Sequence, residues 1–230
     1  MRKTTIIAHR GASGHAPENT LAAFQKAAGM KVDAVECDVQ RCRSGQLVVF
    51  HDRDLKRITG KRGKVKKKKL AELRKLDAGN GERIPTLKEV LELVDARTGI
   101  NIEMKSRGSA VPLAQMIRNS IRTDSWKAED FFVSSFYYRP LRRFHELIPE
   151  IPIALLYNKK PKRLKKRIKV LRPFAASLNA KHIRPAWISR VHDHGLKAYV
   201  WTVDDVRVAE QLQQERVDGF FTNYPGRFLK

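Results

Sequence analysis

The sequence predicts an α/β fold built on a parallel sheet, and three observations carry the prediction. Short apolar runs alternate with helical patterns along all 230 residues. Most of those runs are continuously apolar rather than alternating, as strands buried on both faces must be. The length suits one α/β barrel, which commonly takes ~250 residues. Repeated strand–helix units alone leave the sheet either open or closed. With no internal repeat and no Gly/Ser linker, a single domain over residues 1–230 is expected.

In chain order the candidate strands are Thr5–Ala8, Ala34–Asp38, Leu47–Phe50, Ile100–Met104, Phe132–Phe136, Ile153–Tyr157, Ala175–Leu178, Lys197–Val203 and Gly219–Thr222. Nine is one more than an eight-stranded barrel needs, and Ala175–Leu178 or Gly219–Thr222 is read as the surplus. Helical patterns between them cover residues 18–29, 87–97, 111–123, 184–195 and 204–217. Asn19-Thr20 is a capping start for the first, and Gly29 and Gly195 stand where helices should stop. One connection differs. Only VQRCRSGQ separates Asp38 from Leu47, too few residues for a helix, with Ser44-Gly45 as a turn. It is either a hairpin or an extended return path, since eight residues span up to ~26 Å. The two options place His51 at opposite ends of the sheet relative to Glu36.

Composition narrows the class. With 42% apolar and 31% charged residues, the chain can bury a substantial core and is not disordered. Cys37 and Cys42 lie too close together for a disulfide framework and point to a reducing compartment. No segment reaches the ~20 apolar residues of a membrane helix, and Ile6-Ile7-Ala8 is too short for the apolar region of a signal peptide. A cytoplasmic location is expected. The formal net charge is +23, and two acid-free segments, Lys61–Lys69 and Lys159–Arg172, supply +16 of it.

Four apolar runs end in reactive residues: His9-Arg10 after TTIIA, Glu36-Cys37-Asp38 after DAV, His51-Asp52 after LVVF, and Glu103-Met104-Lys105 after GINI. In barrel enzymes the reacting groups come from the C-terminal ends of several strands. A lone histidine after a strand is ordinarily a capping residue, so the argument rests on the set. Glu36 and Asp38 are two apart and share a strand face. Carboxylates directed into one buried space repel unless a cation joins them. Glu103 adds a third, and three carboxylates without soft ligands favour Mg²⁺ or Ca²⁺ over zinc. Lys105 either neutralises these acids or contacts a phosphate. Two histidines that exchange protons near neutral pH complete a set suited to phosphate esters. No GxSxG, GxGxxG or P-loop stretch occurs.

The ordered motifs AHRG (Ala8–Gly11), PENT (Pro17–Thr20), VECDVQ (Val35–Gln40), VVFHD (Val48–Asp52), RIPTLKEVLEL (Arg83–Leu93), NIEMK (Asn101–Lys105), VWTVD (Val200–Asp204) and DGFFTNYP (Asp218–Pro225) span nearly the whole chain. On these motifs the chain resembles the glycerophosphodiester phosphodiesterases. The resemblance implies a TIM-type (β/α)8 barrel with a short insertion after the third strand, and hydrolysis of a small-molecule glycerophosphodiester to glycerol 3-phosphate and an alcohol. It implies His9 and His51 as acid/base pair. It further implies Glu36, Asp38 and Glu103 as ligands of one divalent cation, and Arg10 and Lys105 as phosphate contacts. Trp201 ends an apolar run at the same edge and reads either as a wall for the glycerol or alcohol group or as simple core packing. With both histidines in one site, the resemblance also implies a parallel, helix-less return through residues 39–46. Asn223 stands where many relatives carry Asp. His15 has no matching role and reads as a loop residue. A lysophospholipase D-type activity on lyso-lipids is the alternative within this chemistry, and an idle barrel that binds anions or nucleic acid is the alternative outside it.

Pro161–Leu171 places Leu164, Ile168 and Leu171 on one stripe, an amphipathic helix with Pro161 in its first turn. Lys66–Lys69 precedes a second helix start, AELRKL. A solvated charged face is the plain reading of both segments. Weak attraction to anionic membrane surfaces and steering of an anionic substrate are functional readings. No aromatic interleaving supports specific nucleic-acid binding.

Overall fold

The computed structural model describes residues 4–229. Among the described residues nine strands form: β1 (Thr5–Ala8), β2 (Ala34–Arg41), β3 (Leu47–Val49), β4 (Gly99–Met104), β5 (Phe131–Ser135), β6 (Ile153–Tyr157), β7 (Ala175–Asn179), β8 (Lys197–Trp201) and β9 (Gly219–Thr222). Eight of them pair in parallel in the order β1-β2-β4-β5-β6-β7-β8-β9, and β9 returns to β1. The sheet is therefore a closed (β/α)8 barrel, which leaves no exposed strand edge.

The surplus strand is β3. Ala175–Leu178 and Gly219–Thr222, the expected candidates, both belong to the barrel wall. The expected parallel return through residues 39–46 is also overturned, because β3 pairs antiparallel to β2 with Val39 opposite Val49 and Arg41 opposite Leu47. The reason is length. β2 runs to Arg41, three residues past Asp38, and overshoots the barrel rim. A tight turn closed by Cys42 N–H donating to Gln46 C=O then reverses the chain. Running back, Phe50 N–H donates to Asp38 C=O at 2.8 Å. The hairpin thus brings His51 to the level of the acids it was expected to reach by a parallel path.

The helices are α1 (Leu21–Gly29), α2 (Lys56–Thr59), α3 (Leu70–Leu73), α4 (Leu87–Val94), α5 (Ala110–Thr123), α6 (Tyr138–Leu147), α7 (Leu164–Leu171), α8 (Pro185–His192) and α9 (Val206–Gln214). The sequence dictates α4 most plainly. Thr86 caps it, with Glu89 completing a reciprocal capping box, a device whose loss costs ~1 kcal/mol. Leu87, Val90, Leu91 and Val94 form its buried stripe, each burial stabilising by roughly 1.5–3 kcal/mol. In α7 the stripe is as expected, with Leu164 and Leu171 fully buried, but the helix begins only at Leu164. Arg163, at φ 57°, stands between it and Pro161. Thr20 caps α1 by accepting from Ala23 N–H, while Asn19 turns inward.

Three cores result. The largest lies between strands and helices. A second fills the barrel floor, where Phe132, Phe174, Tyr199 and Phe221 pack edge-on or tilted with ring centroids 5.3–6.3 Å apart. The third is a small core of the insertion after β3, built on Val48, Phe50, Leu55, Val65, Leu73 and Ile84. Above the aromatic floor, the C-terminal strand ends remain open to form the site. Cys37 and Cys42 are both free and buried. No described helix is long and apolar enough to cross a membrane.

Candidate active site

The C-terminal ends of the strands surround a cavity of ≈ 380 Å³. His9, Arg10, Glu36, His51, Glu103, Lys105 and Trp201 all line it. Asp38, beneath them, is 1% exposed.

β1 ends in a turn that Gly11 makes possible. Its φ is +77°, and a Cβ there would lie 2.6 Å from the backbone of Ala23, so α1 packs against the turn only with glycine at this position. At Gly14 a Cβ would strike the Tyr224 ring at 2.3 Å. Inside this turn Arg10 is left-handed, at φ 58°, and its N–H donates to Glu36 Oε2 at 2.8 Å. His9 Nδ1 lies 2.8 Å from Asn223 Oδ1. The Asn223 amide donates through Nδ2 to Asp204 Oδ2, and its Oδ1 also accepts from Ser13 Oγ. Oδ1 must therefore accept from His9, which fixes the proton on Nδ1 and leaves Nε2 with its lone pair. Burial, reinforced by the Arg10 charge, lowers His9 to about 4.

β2 and β4 supply the acids. Asp38 pairs with Glu103 across the ladder, and oxygens of Glu36, Asp38 and Glu103 lie within 4.8 Å of one another. Lys105 Nζ sits 2.8 Å from Glu103 and 3.6 Å from Asp38, and Arg10 Nε is 3.2 Å from Asp38. Fully ionised, the three carboxylates would outnumber these two cations by one. Burial raises Glu36 well above its ordinary value, with Asp38 and Glu103 adding to the effect; burial and then Asp38 raise Glu103 to about 7. Asp38 goes the other way: burial would raise it, but Lys105, Arg10 and His51 hold it below its ordinary value. Glu36 Oε1 and Asp38 Oδ1 are buried without a hydrogen-bond partner. Orphaned oxygens on clustered, under-neutralised carboxylates fit a hard divalent cation.

His51 arrives on the hairpin return. Its Nδ1 lies 2.6 Å from Asp52 Oδ1. Arg57 donates to both Asp52 and Glu18, and Glu18 in turn accepts from Arg10. Hydrogen bonding to Arg57 draws Asp52 down to about 2. Burial, Lys105 and Arg10 lower His51, against the opposing carboxylates Asp38 and Asp52.

All eight expected site residues therefore meet at one end of the barrel. Trp201 packs edge-to-face on Phe136, whose ring also lies 5.7 Å from Lys105 Nζ. Several residues escaped the sequence reading. Buried Gln40 donates to the carbonyls of Phe50, His51 and Asp52, clamping the segment that carries His51. Asn19 donates to Asp38 Oδ2 and accepts from Asp38 N–H, so it orients an acid rather than capping a helix. Glu18, Arg57 and Asp204 complete the support. Gln40, Glu18, Asn19 and Asp204 lie inside the quoted motifs, which is the one signal the sequence offers for them; Arg57 lies outside them. His15 stacks edge-on against Tyr224 outside the cavity.

This geometry agrees with what comparison finds. The model of the glycerophosphoryl diester phosphodiesterase family matches residues 9–227. The chain belongs to that family. YhdW of Bacillus subtilis is 40% identical over 235 residues, covering 98% of this chain and 96% of its own length. The glycerophosphodiester phosphodiesterase of Caldanaerobacter subterraneus is 37% identical over 237 residues, covering 97% and 95%. Among solved structures, an Oleispira antarctica phosphodiesterase in complex with its product sn-glycerol 3-phosphate superposes with a TM-score of 0.88 at 32% identity, covering 97% of this chain and 94% of its own. The protein is accordingly a phosphoric diester hydrolase of this family with a TIM-type barrel.

Proposed function

We propose that this glycerophosphodiester phosphodiesterase releases sn-glycerol 3-phosphate from its diester by acid–base catalysis, with His9 as base and His51 as acid. One observation carries the assignment: both imidazoles line the cavity beside the carboxylate triad, but their Nδ1 partners differ in charge. His9 faces a neutral amide, Asn223, and is held unprotonated by burial. Its free Nε2 accepts the proton of the attacking hydroxyl, which is water or the neighbouring glycerol hydroxyl of the substrate; in the second case the cyclic phosphate formed as the alcohol leaves is opened by water to glycerol 3-phosphate. His51 faces the Asp52 carboxylate, which favours an imidazolium against the burial and the Lys105 and Arg10 charges that lower it, so that His51 Nε2 can give a proton to the departing alkoxide.

Glu36, Asp38 and Glu103 would hold one divalent cation, Mg²⁺ or Ca²⁺. When bound, it supplies positive charge that offsets the developing charge on the phosphate oxygens. Arg10 and Lys105 neutralise the acids and offer donors to the phosphate. Trp201 and Phe136 wall the cavity and exclude water from the ester. The whole chain acts as one domain in this reading, consistent with a family match from end to end.

The test is release of glycerol 3-phosphate from glycerophosphocholine by wild type, His9→Ala and His51→Ala, with and without chelator. Chelator-sensitive release that falls in both variants, with unchanged thermal unfolding, is expected. Near-normal turnover in either variant would overturn the assignment.

A further inference from the structure

The second half of the barrel carries a charge pattern that the reaction does not use. From Ile151 to His192 the chain has twelve Lys and Arg and no Asp or Glu. This stretch is β6, α7, β7 and α8, with the two rim loops that follow β6 and β7. Those loops form a basin of ≈ 510 Å³, lined by Lys159, Lys160, Lys162, Lys181, Arg184 and Trp187 among others, with no carboxylate in its wall. Among the described residues, no ion pair reaches any of these five cations. Surface lysines are ordinarily interspersed with acids or spread apart. Concentrating four lysines and Arg184 in one concavity raises their mutual repulsion, which an anion relieves.

The basin adjoins the catalytic cavity. Asn158 and Asn179 line the cavity, and their side chains are joined, Asn179 Nδ2 donating to Asn158 Oδ1 at 2.6 Å. Lys159, the next residue after Asn158, lines the basin, one Cα step of ~3.8 Å away. Lys181 N–H donates to Asn179 Oδ1, which ties the basin's other wall to the same pair. The asparagine pair is thus a low divide between two concavities on one rim. The cavity offers a cation cluster for one phosphate, and the basin offers unpaired cations within reach of whatever that phosphate carries. Trp187 adds an apolar face against which a polyol backbone can lie.

We propose that the basin is a specificity subsite for a second anionic group on the diester, so that the preferred substrates are glycerophosphodiesters whose substituent bears another phosphate. The proposal rests on the catalytic reading above for the position of the first phosphate. Anchoring the remote phosphate over the divide holds the reacting one against His9 and His51, so binding energy from a non-reacting part favours turnover. Because the contacts are exposed, the preference fades as salt rises.

The experiment compares bis(glycerophospho)glycerol, a soluble bis-diester, with glycerophosphoglycerol, which lacks the second glycerophosphoryl group. Wild type and the double variant Lys160→Ala/Lys181→Ala are assayed for kcat/KM at low and high salt. Equilibrium binding of both compounds to each protein is measured under chelator, where no turnover is needed. The wild type should prefer the bis-diester by about tenfold, as several partly exposed charge contacts give together. The double variant should lose that preference in both turnover and binding while handling glycerophosphoglycerol normally. Equal treatment of the two compounds by wild type, or an undiminished preference in the variant, overturns the subsite. So does a variant whose only loss is affinity for phosphatidylglycerol vesicles, which would make the basin a membrane contact. If neither compound is turned over but the binding difference holds, the catalytic reading fails and the subsite stands.

Discussion

Around β1, β2 and β4 the rim sets acids and bases against one another, most of them at least half-buried, whereas around β6 and β7 it holds bases exposed and unopposed. On the first side, Glu36 and Asp38 are almost inaccessible, and Arg10, Glu18, Asp38, Asp52, Arg57, Glu103 and Lys105 form ion pairs with one another. On the second, Lys159, Lys160, Lys162 and Lys181 reach into solvent with no acid beside them. Buried charge has to be placed by specific hydrogen bonds, because desolvation is expensive and low dielectric magnifies every misplacement. Exposed charge needs no such placement and acts through number and proximity. The first side is built for chemistry at one atom; the second is built for attraction over an area.

The sharpest break of this contrast is removal of a proton-transfer group. His51→Ala should lower kcat by about 10²–10⁴-fold, measured with glycerophosphocholine, whereas any single lysine of the basin should leave that kcat unchanged. Next in size, Asn223→Ala should lower kcat/KM by roughly tenfold, because His9 loses the acceptor that fixes its tautomer. Thermal unfolding should shift little, since Asp204 keeps Asn223 N–H and Thr222 as donors. Arg57→Ala should cost only a few-fold in kcat, roughly 3–10-fold, by freeing Asp52 and Glu18 at once. Rescue by Arg57→Lys should be partial, because a lysine cannot fork to two carboxylates.

The smallest effect concerns stability. Glu103 is raised to about 7 in the folded chain from an ordinary value of 4.5. Between those values the native state binds more protons than the unfolded state, so stability falls as pH rises through that window. The slope should approach, at most, roughly 1.4 kcal/mol per pH unit for this group. Denaturant unfolding of chelated protein at pH 5 and 7.5 should show the decline. Glu103→Gln should lessen the decline, with raised Glu36 carrying the remainder, and added divalent cation should oppose it in wild type.

Much of this was legible in the chain. The apolar runs gave the strands because parallel strands buried on both faces need little else, and the reactive residues stood out because they follow such runs. What the sequence hid is pairing. Leu47–Val49 is as apolar as any barrel strand, and nothing in its residues shows that β2 overshoots and turns it antiparallel. The surplus strand was therefore sought at β7 or β9, both of which are wall strands. Asn19 read as a cap because asparagine is a good one, and only the fold reveals Asp38 beneath it. Three of the five basin cations, Lys159, Lys160 and Lys162, were visible as part of a charge run, but their convergence with Lys181 and Arg184, which lie outside that run, required the barrel to bring two loops together.

The hairpin has one more consequence. In the proposed assignment one proton-transfer atom, on His9, is delivered by the barrel itself, and the other, on His51, by an appendage with its own small core around Leu55, Val65 and Leu73. The two are registered to each other through Gln40 and a single strand overshoot. The enzyme is in that sense a vice with one fixed jaw and one mounted jaw. Mutations that loosen the mounting need not melt the barrel to silence it, and changes that re-seat it can retune the grip without touching the fixed side.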